Sequence, residues 1–535
     1  MNNFDIKEVL SAYKGAFFKS KRYLLIYLIF ISLTFMSTFS QKNVLHPKFE
    51  FITFILVLAL GMFCILFYFL HRTDNELFKT AFVVILCFGI VCAMIVPIID
   101  VSDEAEHLTR AEITSQGSLI PHWTGDDMGL NSLYNHTEGE LSNKKNIGCG
   151  YETIESIHFF LLNGENTVFE TPNDTDRIDY TPFIWDSAFA QNPFWGYLPQ
   201  ALGIFVAKLL DLSAIWILWL ARICNLICYA CLISLAIKIT PKFKIPLLAV
   251  SCIPITIYQA ASASIDSMLF GLGILAVGYF IRLCLSQDGS ISIKKIMLFT
   301  ALCILLGLCK LPYLAFIFLI LFIPKRKFEN DRKVLIAPFA CVVITALIGI
   351  LWSRYSTPLL MHSWRSMYNY INPAQQMNFL IGHPIQIFKF LQQIFTTELV
   401  NLANGVFNFF HGRLGAHYTD HYTFITICLQ LFLVAILFIY PRDVKFDLKT
   451  RIGALFVLLV VYIGTCFIQL LTWAYVGKMS LGISIRYFIP LLALIPIILN
   501  INYKKDIDRK FDDYSMVFII GFLATLILAF ATKYY

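Results

Sequence analysis

Charge is what this sequence has least of. Only 14% of its 535 residues are Asp, Glu, Lys or Arg, against about 25% in a soluble globular chain. With 58% apolar residues and a mean hydropathy of +0.69, that scarcity excludes a soluble enzyme, a disordered chain and a nucleic-acid binder. Cysteine outside apolar runs is scarce as well. Of the 14 cysteines, nearly all lie in apolar stretches, among them Cys87, Cys92, Cys224, Cys228 and Cys231, and only Cys149 sits clearly in a polar loop. They read as small packing residues and not as a disulfide framework. No ATP-binding loop, no nucleotide-sugar domain, no repeat of 20–50 residues and no low-complexity tract is visible.

The apolar runs themselves are long. Crossing about 30 Å of hydrocarbon takes roughly 20 apolar residues, fewer inside a bundle. Runs near 23–39, 50–70, 80–99, 213–237, 246–259, 267–285, 296–309, 311–323, 334–352, 423–440, 453–474, 486–501 and 515–532 predict thirteen spans. Lys14, Lys19, Lys21 and Arg22 precede the first run and no small-residue cleavage site follows it, which predicts a retained anchor. The overall +7 is unevenly spread: residues 100–192 hold seventeen acidic against four basic residues, a local −13, leaving +20 for the remainder.

Clusters at Lys238, Lys242 and Lys244, at Arg282, Lys294 and Lys295, at 325–333, at 442–451 and at 504–510 all fall in short connectors. Placing them in the cytoplasm puts the N-terminus inside, the C-terminus outside, and both 100–192 and 353–422 outside. Segment 194–210 is apolar enough to insert, but alone it would invert everything after it, so it reads as juxtamembrane or re-entrant. Segment 377–410 reads as an amphipathic helix on the outer surface. The expected class is an all-α polytopic membrane protein of about 11–14 helices with a mixed extracytoplasmic loop domain. Its parts are a three-span segment (1–99), an acidic outer loop (100–193), a membrane core (194–352), a second outer loop (353–422) and the last spans (423–535).

Where the third run leaves the bilayer, the chain reads Asp100-Val101-Ser102-Asp103-Glu104-Ala105-Glu106-His107-Leu108-Thr109-Arg110. A carboxylate at that low-dielectric boundary has a raised pKa unless paired, which suits a general base. On a helix, Asp103 shares a face with Glu106 and His107, and Glu106 with Arg110. The same residues are open to two other readings: a solvated start to a loop, or oxygen ligands for a divalent cation, Mg or Mn. Further on, Pro312 breaks the run 296–323, which places Lys310 at an outward tip among helices.

Ser102-Asp103-Glu104, two residues, His107, two residues, Arg110-Ala111 resembles the first outer loop of GT-C glycosyltransferases, polytopic enzymes that take a sugar from a polyprenyl-phosphate donor. The likeness is to a bacterial branch with the pattern Pro-Asp-Glu, two residues, His, two residues, Arg-Ala. Further blocks follow in order between about 95 and 495. They are Asn192-Pro193-Phe194-Trp195-Gly196-Tyr197-Leu198-Pro199, Arg222 with Asn225, Pro254 with Gln259 through Asp266, Lys310 with Pro312-Tyr313, Asn372-Pro373 with Gln376, His383-Pro384, and Arg486-Tyr487-Phe488-Ile489-Pro490. Ser102 departs from the usual proline, and Ile483-Ser484-Ile485 stands where that branch often has Gln-Gly before the arginine.

The resemblance implies an inverting hexosyltransferase at the outer face of a bacterial inner membrane. Its donor would be undecaprenyl-phosphate hexose and its acceptor an O-antigen repeat or wall polymer, as in serotype-converting glucosyltransferases. Asp103 fits the base, with Glu104 as alternate or orienting partner. Arg486 offers a fork for phosphate and Lys310 a point charge. Arg222 serves the phosphate or braces Asp266 or Glu106; Glu106, His107, Arg110, Asp266, Gln259 and Tyr487 support. The other readings are an interfacial anchor role for Arg486 and Lys310, and sugar stacking or an interfacial belt for Trp123, Trp185, Trp195 and Trp364. The competing functions are a lipid-linked oligosaccharide flippase, against which stands the lack of an inverted repeat, and an O-antigen polymerase.

Overall fold

The apolar runs fold as helices in a computed structural model that describes residues 6–39, 47–121, 151–162, 167, 177–185, 187, 189–362, 371–406, 423–440, 444–479, 481–501 and 509–535. Cys149, Trp123, Trp364 and the side chain of Trp185 lie outside the described residues. Three helices open the chain: α1 (Ile6–Thr38), α2 (Pro47–Leu70) and α3 (Leu77–Ile95). The third ends four residues short of the apolar run because Pro97 follows, and a proline disfavours helix in the residue before it. After it come α4 (Glu104–Ser115), β1 (Tyr151–Ile154), α5 (Glu155–Leu162) and β2 (Pro182–Trp185), with β1 and β2 antiparallel, Tyr151 opposite Trp185.

The segment 194–210 becomes a short 3-10 turn, Phe194–Gly196, and α6 (Leu198–Leu209). Twelve residues make about 18 Å of helix, short of about 30 Å of hydrocarbon. This helix does not cross; it lies against α7 (Ile215–Ile239), so closely that a Cβ on Gly203 would sit 2.2 Å from the Leu220 carbonyl oxygen. The run 246–259 is two helices, α8 (Lys244–Ser251) and α9 (Pro254–Ala260), interrupted at Pro254. Next are α10 (Asp266–Cys284) and α11 (Ile293–Cys309). The twelve residues Leu311–Phe322 return as a 3-10 helix, whose rise of about 2.0 Å per residue stretches them to about 24 Å. That stretch carries the chain from Lys310 back to Lys325.

The remainder is α12 (Arg332–His362), α13 (Pro373–Gly382), α14 (Pro384–Gln393), α15 (Leu399–Val406), α16 (Thr423–Val434), α17 (Leu448–Trp473) and α18 (Arg509–Tyr534). The run 486–501 is not one span. Pro490 and Pro496 divide it into the short turns Ile485–Phe488, Ile489–Leu492 and Ile495–Leu499. Seven helices (α2, α3, α7, α10, α12, α17 and α18) are long and apolar enough to cross a membrane. The outer face of α12 bares Leu335, Phe339, Val343, Leu347 and Leu351, an apolar surface that only lipid would cover, while α10 and α18 are enclosed. The chain is an all-α polytopic membrane protein.

The described basic connectors gather at one end of this bundle. Lys244 Nζ donates to the Asp74 carbonyl oxygen at 2.6 Å, Lys327 pairs with Asp288 at 2.7 Å, and the Gly289 N–H donates to the Arg326 carbonyl at 2.8 Å. Asp266, at the first turn of α10, is sixteen residues from Arg282 in its last turn, about 24 Å away along the axis. The acidic motif stands at that far end. There α4 packs on α6 through a second apolar core containing Leu108, Ala111, Tyr197, Ile204 and Leu218.

Candidate functional site

The loop from Val96 to Asp103 is held from every side. Because α3 stops at a proline, its last carbonyls lack helical partners. Arg222, deep in α7, supplies them: Nη1 donates to the Ala93 and Val96 carbonyls at 3.0 and 2.8 Å, and Nη2 to that of Pro97 at 2.9 Å. The rest of the same guanidinium takes the Glu104 carboxylate in a bidentate grip, 2.8 Å from Nε and 2.6 Å from Nη2. Oε1 of Glu104 also accepts from the Ala263 N–H at 3.0 Å. Both side chains are fully buried, so the charges are compensated where water cannot reach.

Asp103 is one residue away and in different surroundings. Its backbone is left-handed (φ 63°), which turns its side chain off the helix that begins at Glu104. It is 43% exposed, whereas Glu104 is 0% exposed. Arg486 reaches it from the turn Ile485–Phe488: Nη2 donates to the Asp103 carboxylate and Nη1 to the Ser102 carbonyl at 2.7 Å. Nε of Arg486 lies 3.0 Å from Asp266 Oδ2 as an ion pair, without the alignment of a hydrogen bond. One buried guanidinium thus stands between two carboxylates. Tyr487 completes the corner, with the Lys310 ammonium 3.0 Å above the centre of its ring.

These groups line a cavity of about 990 Å³, to which Ser102, Asp103, His107, Asp266, Lys310 and Arg486 contribute. The volume is at the upper end of small-molecule sites. The lining also includes the apolar Leu269, Leu308, Leu311 and Ile468, and Trp352 of α12. Asp266 is placed by the break between α9 and α10. Asn225 donates to the Ser262 and Ser264 carbonyls at 2.7 and 2.9 Å, and Gln200 Nε2 reaches those of Ala263 and Ser264, each at 3.3 Å.

The remaining motif residues divide between lining and support. His107 lines the cavity, its Nδ1 2.6 Å from the Tyr197 hydroxyl, and burial pulls its pKa down to about 4. It is therefore neutral at pH 7. Glu106 lines the cavity and accepts from Ser187 at 3.1 Å. Arg110 is taken up by Thr114 and by the Leu119 and Asn192 carbonyls. Gln259 is buried away from the cavity.

Two expectations are corrected. Glu104, expected as an alternate base, and Arg222, expected to serve the phosphate, are paired with each other, and neither lines the cavity. Arg222 also braces neither Asp266 nor Glu106. Nor do the described residues form a metal centre: no three His, Cys, Asp or Glu side chains converge, and Asp103 and Asp266 are bridged by Arg486. Trp195 stands 5.9 Å from Trp352, centre to centre.

Some lining residues escaped the sequence reading. Trp352 and Thr465 line the cavity from spans whose apolar runs gave no reason to single them out, and the buried Thr465 hydroxyl has no hydrogen-bond partner among the described residues. The only signal for Trp352 was the polar turn Trp352-Ser353-Arg354 within α12.

No curated protein and no solved structure matches the chain. A family does, over residues 86–495, a stretch that begins in α3, holds every residue of the cavity and ends just past the Arg486 turn. The chain belongs to the family described as predicted membrane protein (DUF2142).

Proposed function

We propose that this membrane protein is an inverting glycosyltransferase that moves a hexose from a polyprenyl-phosphate donor to a surface glycan. The observation that carries the reading is one exposed carboxylate, Asp103, held by the buried Arg486 at the edge of a cavity that Lys310 and several apolar side chains also line. In this scheme Asp103 takes the proton of an acceptor hydroxyl as its oxygen attacks the anomeric carbon. The new C–O bond forms on the face opposite the bond to the donor phosphate, which breaks and leaves its electron pair on the phosphate. The charge gathering there is met by the Lys310 ammonium and the Arg486 guanidinium. Asp266 pairs with that guanidinium at Nε, and the apolar lining residues suit the first isoprene units. The acidic end of the bundle faces the periplasm or exterior of a bacterial inner membrane, since the basic connectors lie at the other end.

Mass spectrometry of surface glycan tests this, in cells making equal membrane levels of wild type or Asp103→Asn. The expected result is a hexose-sized increment per repeat with wild type, absent with the variant. An unchanged glycan in a host supplying donor and acceptor would instead favour a flippase, and shortened chains with the variant would favour a polymerase.

A further inference from the structure

The helix α18 lies beyond the family match, yet its end reaches the loop that carries Asp103. Tyr534 donates its hydroxyl to Asp100 Oδ1 at 2.6 Å, and Tyr258 of α9 donates to Asp100 Oδ2 at 2.7 Å and to the Asp100 carbonyl at 3.0 Å. Asp100 is buried, so both its oxygens are spent on these two tyrosines. Tyr535 adds a third tie, to the Ile95 carbonyl at 2.8 Å, with its ring stacked on Phe49 at 4.4 Å. Phe530 stacks on Tyr258 at 5.4 Å and fixes α18 against α9.

The loop held in this way is strained. Ile99 has φ 57°, a left-handed conformation disfavoured for a β-branched residue, and Asp103 has φ 63°. Such residues persist only where the surroundings over-determine them. Arg486 fixes the far end of the loop at Ser102 and Asp103, and Arg222 fixes its start at Val96 and Pro97. Between them Asp100 is the one polar side chain, among the apolar Ile98, Ile99 and Val101, and its hydrogen bonds run to two helices, one of them α18.

We infer that Tyr534 and Tyr258 are positioning residues, which act through Asp100 to hold the strained loop and so set the place of the Asp103 carboxylate. The inference rests on the reading of Asp103 as base for its kinetic consequence, but not for its structural one. The variant Tyr534→Phe removes one hydroxyl and keeps the ring, and Tyr258→Phe is the second variant should the first yield little protein. Two readouts apply to the full chain in detergent.

Amide hydrogen exchange should rise about tenfold for peptides covering 96–104, the effect of losing one charge-assisted hydrogen bond, and stay unchanged in α7 and α10. The transfer assay should show kcat down about tenfold with the KM for polyprenyl-phosphate hexose unchanged, since Lys310 and Arg486 are untouched. Unchanged exchange over 96–104 would overturn the inference whatever the enzyme does, and so would raised exchange with kcat unaltered. A wild type with no transfer activity would defeat the glycosyltransferase reading and leave the exchange result to judge the clamp.

Discussion

Asp103 and Glu104 are neighbours in the chain and each meets an arginine, yet the two pairs occupy different regions and are built differently. Around Glu104 everything is closed: Arg222 spends its donors on one carboxylate and three carbonyls at the end of α3, in a site with no exposed atom on either side chain. Around Asp103 the arrangement stays open. Arg486 is buried, but it splits its charge between two carboxylates, leaves Nε without a hydrogen bond, and presents Asp103 to a cavity shared with Lys310. The first pair fixes where α3, α4 and α7 meet. The second opens onto the cavity. Burial and completeness of hydrogen bonding, not residue type, separate the pin from the site.

The comparison can be broken most severely at Arg222. Arg222→Leu leaves the Glu104 charge buried and alone, a loss of about 3–5 kcal/mol, and should remove most of the folded protein seen by size exclusion in detergent. The double variant Arg222→Leu with Glu104→Leu should recover part of it, because both charges go together.

Asp103→Asn should behave in the opposite way. Its folded yield stays close to the wild-type value, with a drop in melting temperature small beside that of Arg222→Leu because Asp266 still pairs with Arg486, while transfer falls by about 10²–10⁴-fold, the usual contribution of a positioned base. A smaller effect is expected at the second cation of the cavity: Lys310→Met should lower kcat by about 10²-fold, in the range of losing one group that meets developing charge. Stopped-rate assays on equal amounts of folded protein would separate the two.

The mildest test is pH. His107 has its pKa lowered by burial to about 4 from an ordinary 6.5, so the unfolded chain binds the proton first as pH falls. Its contribution to stability is whole above pH 6.5, declines as pH drops below that, and is lost by about pH 4, at a cost of about 3 kcal/mol. Activity between pH 6 and 8 should show no limb from this residue. His107→Gln should flatten the acid side of a melting-temperature profile, and a profile indifferent to the change would mean that the imidazole is not buried in its neutral form.

The sequence made the helices legible, and the reasons are local. Apolar runs of sufficient length and basic connectors mark α2, α3, α7, α10, α17 and α18 and sort the two ends of the bundle. Pro312 marks the turn at Lys310, although not the 3-10 form that lets twelve residues return. It was less informative where prolines are closely spaced, and the run 486–501 looked like one span although Pro490 and Pro496 divide it.

For the site, the motif marks a stretch of which Ser102, Asp103, Glu106 and His107 line the cavity, and helical spacing does not rank its members. Spacing treats Asp103 as the first residue of a helix, but a left-handed backbone puts it outside α4. The partner that removes Glu104 from contention lies 118 residues away, in the middle of a span. Nothing short of the folded chain brings Arg222 to Glu104, Arg486 to Asp103 or Tyr534 to Asp100.

Of the two adjacent carboxylates, Glu104 is locked in the fold and Asp103 is the one proposed to react. Release of polyprenyl phosphate from polyprenyl-phosphate hexose should be measured with purified wild type, Asp103→Asn and Glu104→Gln, each normalised to folded protein. Expected are an inactive Asp103→Asn at close to full yield, and a Glu104→Gln that is scarce but retains most of its activity per folded molecule. An active Asp103→Asn beside an inactive, well-folded Glu104→Gln would contradict it.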